Sequence, residues 1–190
     1  MSSELTPWQV SKFKSLFDLF DYDGDGTTDE SELEGAMERL QLNTGWPEHS
    51  RVLSHVLARW KVFLRSLFRD SPMLSEQKWL DFLGRFLRDD RENRAEDPGY
   101  RGGLEELAQL LFLLLDRDRN SLIDYQEFLI FFYALGRKDS HAEDSFEKID
   151  TDEDGFLSKS EVEDMTLAYF HSAQPGSAGD WLFGPPPASD

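Results

Sequence analysis

Apolar residues recur along the chain at spacings of three and four, and short polar gaps rich in acidic residues and glycine separate the runs. This spacing places the apolar side chains on one face of a helix. The first run follows Thr6 and Gln9, which form a capping box around Pro7 at the first helical position. We predict eight helices and no convincing strand, with apolar faces within residues 10–20, 33–40, 52–67, 79–87, 104–115, 128–135, 146–149 and 162–170.

Two segments interrupt this helical pattern. A Gly-Trp-Pro step at residues 45–47 is a helix breaker. Residues 89–98 carry seven charged side chains in ten positions, and three glycines follow within the next five residues. We therefore predict a linker there, between an N-terminal pair of units in residues 1–98 and a C-terminal pair in residues 99–171, followed by a tail rich in Gly, Pro and Ser in residues 172–190.

The polar gap after the first helix has the spacing of a twelve-residue EF-hand loop, which we call loop one. Ca²⁺ is a hard cation that takes six to eight oxygen ligands, and short Asp side chains at alternate positions turn inward around it. Gly26 at position 6 permits the sharp turn, and a glutamate at position 12 is long enough to reach back with both oxygens. The predicted ligands are Asp21, Asp23, Asp25, the Thr27 carbonyl, Asp29 and Glu32.

Two later gaps repeat the pattern, as loop three in residues 116–127 and loop four in residues 150–161. Loop three has Ser121 rather than glycine at position 6, which can adopt the turn at some cost in strain, and we expect it to bind as well. The predicted ligands are Asp116, Asp118, Asn120, the Leu122 carbonyl, Asp124 and Glu127 in loop three, and Asp150, Asp152, Asp154, the Phe156 carbonyl, Ser158 (through a bridging water) and Glu161 in loop four.

Ordinary helix capping is the alternative explanation for part of this pattern. An Asp or Ser followed three residues later by Glu is a capping box, and all three loops have one at positions 9 and 12. Capping does not explain the acidic residues and Asn at positions 1, 3 and 5. Three full-length matches in one chain therefore favour calcium sites, with position 9 also serving as the cap.

The spacing of the loops leaves room for a fourth, degenerate hand. Loops three and four begin at residues 116 and 150, as adjacent hands do, whereas loop one begins at residue 21. Aligning Trp79 with Leu33 and Phe128, the residues just after position 12, makes residues 67–78 the remnant, loop two. Lys78 there replaces the bidentate glutamate, so loop two should not bind metal, although it can still pair with loop one.

Composition narrows the classes of function. The 38 acidic and 20 basic residues give a formal net charge of −18, which argues against binding nucleic acid or anionic lipid through bulk charge. Because cysteine is absent, disulfides, thiolate metal sites and thiol catalysis are excluded. The start has no signal pattern, and the apolar stretches fall short of the ~18 residues of a membrane span. We expect a soluble, cytoplasmic monomer without stable membrane insertion.

With four hands, one of them degenerate, the chain resembles the sarcoplasmic calcium-binding proteins and their neuronal relative calexcitin. The narrower likeness is carried by Gly45-Trp46-Pro47 and by the tail sequence GDWLFGP at residues 179–185. The resemblance implies an all-α fold with two EF-hand pairs in one compact globule, acting as a cytosolic Ca²⁺ and Mg²⁺ buffer. Coelenterazine-binding photoproteins look similar too, but the first helix here has no His and the chain ends in Asp190 rather than Pro.

A calcium sensor is the alternative to a buffer. Sensors expose a Met-rich groove to a target, whereas this chain has only four Met and is rich in Phe, Leu and Trp. A calexcitin-like sensor would change conformation and engage a protein or membrane target, and the sequence names no such target. We expect the tail residues Trp181, Leu182 and Phe183 to dock on the core, because three adjacent exposed apolar residues would be costly in water.

An enzymatic function is not expected from this sequence. It contains neither a nucleophile elbow nor a phosphate-binding loop, and its four histidines lack metal-ligand spacing. His171 is predicted to be a surface or helix-end residue rather than a catalytic one.

Overall fold

The computed structural model describes residues 5–44, 51–68, 71–97 and 102–188. The predicted break at residues 45–47 lies outside them, as do the side chains of some predicted apolar positions on α2 and α3. No helix in the described ranges has both the length and the apolar composition needed to cross a membrane. The elements are α1 (Pro7–Phe17), β1 (Thr27–Asp29), α2 (Glu30–Thr44), α3 (Arg51–Leu67), β2 (Met73–Ser75), α4 (Glu76–Glu96), α5 (Gly103–Leu115), β3 (Leu122–Ile123), α6 (Tyr125–Ala134), α7 (Asp139–Ile149), β4 (Leu157–Ser158), α8 (Lys159–His171) and a 3₁₀ turn (Ala178–Trp181).

Capping side chains fix where several helices begin. The Gln9 amide donates to the Thr6 hydroxyl at 3.2 Å and the Thr6 amide donates to the Gln9 side chain at 3.1 Å, with Pro7 in the first turn as predicted. Asp124 and Ser158 cap α6 and α8 in the same way. Such caps satisfy backbone donors that lack an intrahelical partner, and each contributes about 1 kcal/mol.

Two short strand pairs join the hands in twos. β1 pairs antiparallel with β2, placing Thr28 opposite Leu74, and β3 pairs with β4, placing Ile123 opposite Leu157. All four residues occupy position 8 of their loops in the predicted numbering, and loop two pairs with loop one as predicted. These strands have only two or three residues, too few to show an alternating pattern, which is why the sequence predicted none.

The predicted apolar faces meet in one core. Trp79 is 3% exposed, and its indole nitrogen donates to the Phe13 carbonyl at 2.9 Å. Contacts of α2 with α6 and of α3 with α5 bring the two pairs of hands into one globule. Burying one large apolar side chain in this core stabilises the fold by about 1.5–3 kcal/mol. The described residues therefore confirm the all-α fold of four hands in one compact unit, and the core includes Phe13, Phe17, Leu33, Trp79, Leu87, Leu104, Ile123, Phe128, Phe132, Ile149, Leu157 and Phe170.

The predicted linker at residues 89–98 is wrong for most of its length, because α4 continues to Glu96. Two of its charged residues, Asp90 and Arg94, are paired, while most of the others are exposed. Asp90 is 3% exposed and lies 2.6 Å from Arg94, whose guanidinium also lies 2.6 Å from Glu105 at the start of α5. The Asp90–Arg94 pair at spacing four supports the helix, and the contact with Glu105 ties the N-terminal pair of hands to the C-terminal pair.

The tail packs against α7 and α8. Leu182 is 4% exposed, and the centre of the Phe183 ring lies 4.9 Å from that of Tyr169. Gly179 permits this approach, because a Cβ at that position would lie 2.6 Å from the Cβ of Ala168.

Candidate metal centres

Loop one folds around its own carboxylates. The amides of Gly26 and Asp25 donate to the Asp21 carboxylate at 2.9 and 3.1 Å, and the Thr27 amide donates to Asp25 at 2.8 Å. Gly26 has φ +83°, a conformation in which a side chain would be strained. The turn gathers the carboxylates of Asp21, Asp23 and Asp25, whose oxygens lie within 4.8 Å of one another.

Glu32 at position 12 closes loop one from the helix side. Its carboxylate oxygens accept hydrogen bonds from the amides of Tyr22 at 3.0 Å and Asp29 at 3.1 Å. The Glu32 amide in turn donates to the Asp29 carboxylate at 3.1 Å, so the cap and the predicted ligands are the same residues. A hydrogen bond from the Ser31 hydroxyl is the main cause of the lowered pKa of Asp29.

Loop four repeats this arrangement. Gly155 has φ +85°, and its amide donates to the Asp150 carboxylate at 2.9 Å. The Glu161 carboxylate accepts from the amides of Thr151 and Ser158, both at 2.8 Å. Three carboxylates again lie within 4.8 Å of one another, those of Asp150, Asp152 and Glu161.

Loop three makes the same turn with Ser121 in place of glycine. Ser121 has φ +70°, a conformation that is strained for a residue with a side chain, and its amide donates to Asp116 at 3.2 Å. The Glu127 carboxylate accepts from the amides of Arg117 at 2.8 Å and Asp124 at 3.1 Å. The Oδ1 atom of Asp116 is buried without a hydrogen-bond partner, and a bound cation would satisfy it.

The three loops fit a hard divalent cation. Each brings three carboxylates within 4.8 Å of one another, a separation at which they repel unless a cation or protons lie between them. Ligands that are all oxygen suit Ca²⁺ and Mg²⁺. The other predicted ligands lie in the same loops: Asn120 and Asp154 accept from the amides of Leu122 at 2.8 Å and Phe156 at 2.9 Å.

The pKa values of the position 12 glutamates of loops three and four are shifted in opposite directions. Burial raises the pKa of Glu127 by more than hydrogen bonds from the loop amides lower it. Burial also acts to raise the pKa of Glu161, but hydrogen bonds from Ser158 and Thr151 outweigh it and the pKa is lowered. The Thr151 hydroxyl supplies one of these bonds at 3.0 Å. The Glu161 carboxylate is thus the better stabilised of the two.

Loop two keeps the strand pairing without the ligands. Leu67 stands at position 1 and is 5% exposed, while Lys78 stands at position 12. The described part of loop two contains no cluster of three acidic or histidine side chains.

A buried ion pair between Lys12 and Asp180 is absent from the sequence predictions. The Lys12 ammonium lies 2.9 Å from Asp180, with side chains 0% and 1% exposed, and donates to the Ser172 hydroxyl at 2.7 Å. Burial lowers the pKa of Lys12, although the hydrogen bond and charge of Asp180 oppose the shift. The available signal was that Lys12 shares a helix stripe with Trp8 and Leu16 at spacings of four. The pair attaches the tail to the helix that leads into loop one.

Sequence comparisons agree with this geometry. The EF hand family model matches residues 13–37 and 142–166, which contain loops one and four. The chain is 30% identical over 129 residues to the sarcoplasmic calcium-binding protein of Perinereis vancaurica tetradentata, a match that covers 67% of this chain and 69% of that protein. It is 26% identical over 143 residues to recoverin of Homo sapiens, covering 73% of this chain and 61% of recoverin.

Among solved structures, the Mg²⁺-loaded apo form of berovin, a light-sensitive photoprotein from the ctenophore Beroe abyssicola, is similar. Its TM-score is 0.70 at 23% identity, covering 87% of this chain and 90% of berovin. All three Ca²⁺-binding loops of berovin bind magnesium ions in that structure. At this level of identity the likeness establishes the fold alone.

Proposed function

We propose that this chain, which belongs to the sarcoplasmic calcium-binding protein family of EF-hand proteins, is a cytoplasmic Ca²⁺ and Mg²⁺ buffer that binds Ca²⁺ through loops one, three and four. The chain is a calcium-binding EF-hand protein; the buffering role, the number of ions and the compartment are the proposal. It is supported above all by the backbone hydrogen-bond pattern that these three loops share around clustered carboxylates.

Charge gives the driving force for uptake. The carboxylates within each cluster repel one another, and a bound Ca²⁺ supplies the positive charge that relieves this repulsion. Three ions would change the formal net charge from −18 to about −12. Metal that binds only the folded chain stabilises it by mass action, by about 2.7 kcal/mol per site at a hundredfold excess over the dissociation constant.

Mg²⁺ is expected to compete for the same loops. It also prefers oxygen ligands, although it demands a smaller, octahedral arrangement and keeps several waters. The loops of the berovin structure, which share this fold, bind Mg²⁺. A resting buffer would then exchange Mg²⁺ for Ca²⁺ when the Ca²⁺ concentration rises.

The position of the tail supports a buffer more than a sensor. Leu182 is buried and lines a small apolar cavity together with Phe128, Ile149 and Val162 of the C-terminal pair. The surface that a sensor would offer to a target helix therefore already has an intramolecular occupant. A calexcitin-like sensor would have to release this segment before it engaged a protein or membrane target.

The remaining parts of the proposal are negative ones. We propose a monomer with no enzymatic activity and no nucleic-acid partner. The net charge of −18 supports the lack of a nucleic-acid partner, and the absence of a sequence motif for nucleotide hydrolysis or nucleophilic catalysis supports the lack of enzymatic activity. A protein target is not part of the proposal.

A calcium titration in the presence of Mg²⁺ tests the proposed function. Calorimetry would count the ions, and a dye that fluoresces on apolar surface would report whether the tail is released. A buffer should give Ca²⁺ uptake at three sites with a flat dye signal. A dye signal that rises with Ca²⁺ would establish the sensor alternative.

Single substitutions assign the ions to loops. Glu32→Gln, Glu127→Gln and Glu161→Gln should each remove one Ca²⁺ per chain, because each weakens the bidentate position. The matched control is Glu30→Gln, which removes one exposed negative charge at position 10 of loop one. Unchanged stoichiometry in any of the three variants would refute that site.

A further inference from the structure

Loop two retains the geometry of a paired EF-hand loop. Thr27, Thr28 and Asp29 of β1 lie opposite Ser75, Leu74 and Met73 of β2 in that order. The C-terminal pair has the same antiparallel arrangement, with position 8 opposite position 8. Because loop two lacks the acidic ligands of the other loops, contacts other than metal ligation must hold it in this form.

Lys78 contacts the oxygens that would otherwise face a metal ion. Its ammonium donates to the Ser71 hydroxyl at 2.8 Å and lies 3.5 Å from the Met73 carbonyl oxygen. Ser71 is at position 5 of loop two and Met73 is at position 7, the positions of the predicted ligands Asp25 and Thr27 in loop one. The Ser71 hydroxyl also donates to the Met73 carbonyl at 2.6 Å, which completes a compact set of three polar groups.

The side chain at position 12 accepts hydrogen bonds in loop one but donates them in loop two. In loop one, Glu32 accepts hydrogen bonds from backbone amides at positions 2 and 9. In loop two, Lys78 donates to oxygens at positions 5 and 7. An ammonium is a compact positive charge with three donors, so it can satisfy oxygens that a divalent cation would otherwise hold.

We propose that Lys78 is a positioning residue for calcium binding at loop one, because its ammonium takes the place of the ion in loop two. It holds residues 73–75 as a strand whether or not calcium is present, and β1 pairs with that strand. Loop one is thereby ordered in part before metal arrives, which reduces the ordering cost of binding. This inference rests on the proposed calcium site in loop one.

A neighbouring ion pair fits the same role. Glu76, two residues before Lys78, lies 2.8 Å from Lys14 on α1. This contact joins the first turn of α4 to the helix that leads into loop one. The Glu76–Lys14 contact joins the second hand to the first without a metal ion, while the Lys78 contacts order loop two itself.

The simplest competing explanation is that Lys78 only repels metal from loop two, and the two explanations predict opposite signs. Removing a positive charge near loop one should strengthen Ca²⁺ binding there if the charge only repels metal. If Lys78 positions the strand, removing it should weaken binding despite the charge.

The first experiment measures loop one alone, in a Glu127→Gln/Glu161→Gln background. Lys78→Met should lower the Ca²⁺ affinity of loop one about three- to tenfold, the effect of losing one or two hydrogen bonds. Lys78→Arg should retain most of the affinity, because a guanidinium also donates to oxygens. The control Lys61→Met removes an exposed lysine of α3 and should change nothing. An unchanged or higher affinity in Lys78→Met would overturn the inference.

The second experiment needs no metal and separates this inference from the proposed function. In the calcium-free chain, the amides of Thr28 and Leu74 should exchange with solvent faster in Lys78→Met than in Lys61→Met. Equal exchange rates would refute the positioning role. If the background variant binds no Ca²⁺, the proposed site in loop one fails, and the exchange rates still decide the role of Lys78.

Discussion

Both pairs of hands are joined by a short antiparallel strand pair, but the two pairs differ in charge. Thr28 lies opposite Leu74 in the N-terminal pair, and Ile123 lies opposite Leu157 in the C-terminal pair. The C-terminal pair has eight carboxylates at predicted ligand positions, whereas the N-terminal pair has five together with one lysine. The strand pairing is therefore compatible with very different electrostatics.

The strand pairing, helix cap and core packing of a hand do not require acidic ligands. Loop two lacks them, yet Ser75 caps α4 by accepting from the Lys78 amide at 3.4 Å, and Trp79 is buried in the core. Position 8, the cap at position 9 and the apolar residue after position 12 hold the hand. The acidic ligands decide whether the hand can take up metal.

Calcium removal is expected to show the largest difference between the pairs. At a hundredfold excess of Ca²⁺ over the dissociation constant, the two proposed sites would stabilise the C-terminal pair by about 5 kcal/mol and the one proposed site would stabilise the N-terminal pair by about 2.7 kcal/mol. Chelation should therefore accelerate amide exchange at Ile123 and Leu157 more than at Thr28 and Leu74. Equal acceleration in both strand pairs would contradict the assignment of two sites to one pair.

Asp180→Asn should give the next largest effect, by cutting the contact between the tail and α1. The variant leaves the Lys12 ammonium buried without its counter-charge, and breaking such a pair costs about 3–5 kcal/mol of the free energy of unfolding. Urea unfolding measures this loss. The double variant Lys12→Met/Asp180→Asn, which has no buried unpaired charge, should recover part of it. A double variant less stable than Asp180→Asn would count against this reason.

Ser121→Gly tests whether backbone strain at position 6 makes loop three a weaker site than loop four. Glycine relieves the strain of φ +70° at position 6, and part of the gain is lost to the greater freedom of the unfolded chain. We expect Ca²⁺ affinity at loop three to rise about two- to fivefold. The reciprocal control is Gly155→Ser, whose Cβ would meet no atom within 4 Å, so it tests mainly backbone strain and should weaken loop four. Calorimetry on both variants measures these changes in Ca²⁺ affinity.

Features set by short-range pattern could be predicted from the sequence. The capping box at Thr6, the turn at Gly26 and the degenerate position at Lys78 each depend on residues within one loop or helix turn. The alignment of Trp79 with the other residues after position 12 also numbered loop two and predicted that it can pair with loop one, as the structure shows with position 8 opposite position 8.

Features set by long-range contacts could not be predicted from the sequence. Residues 89–96 have the composition of a linker, but Asp90 and Arg94 find partners on α5 and α8 and the helix continues. Lys12 and Asp180 are 168 residues apart, so the stripe that Lys12 shares with Trp8 and Leu16 hints at its burial but does not identify its partner. The buried contact of Lys12 becomes evident only when the tail residue Asp180 lies beside α1.

The smallest expected effect is the pH dependence from His171, at the end of α8 as predicted. Its Nε2 atom lies 3.0 Å from Asp90 on α4, so this contact also joins the two pairs. Burial is the main cause of the lowered pKa of His171; the charge and hydrogen bond of Asp90 oppose it, and the charges of Arg94 and Arg91 add to it. The folded chain therefore takes up this proton less readily than the unfolded chain, whose pKa is 6.5.

Stability should consequently be constant with respect to this group above the unfolded pKa, and should fall as the pH drops from 6.5 towards the lower pKa of the folded state. His171→Gln keeps a donor for Asp90 without a proton to titrate, so it should remove this slope. Urea unfolding of both proteins between about pH 8 and about pH 5.5 measures it while avoiding most carboxylate titration. Parallel profiles would show that the contact between α8 and α4 does not respond to pH.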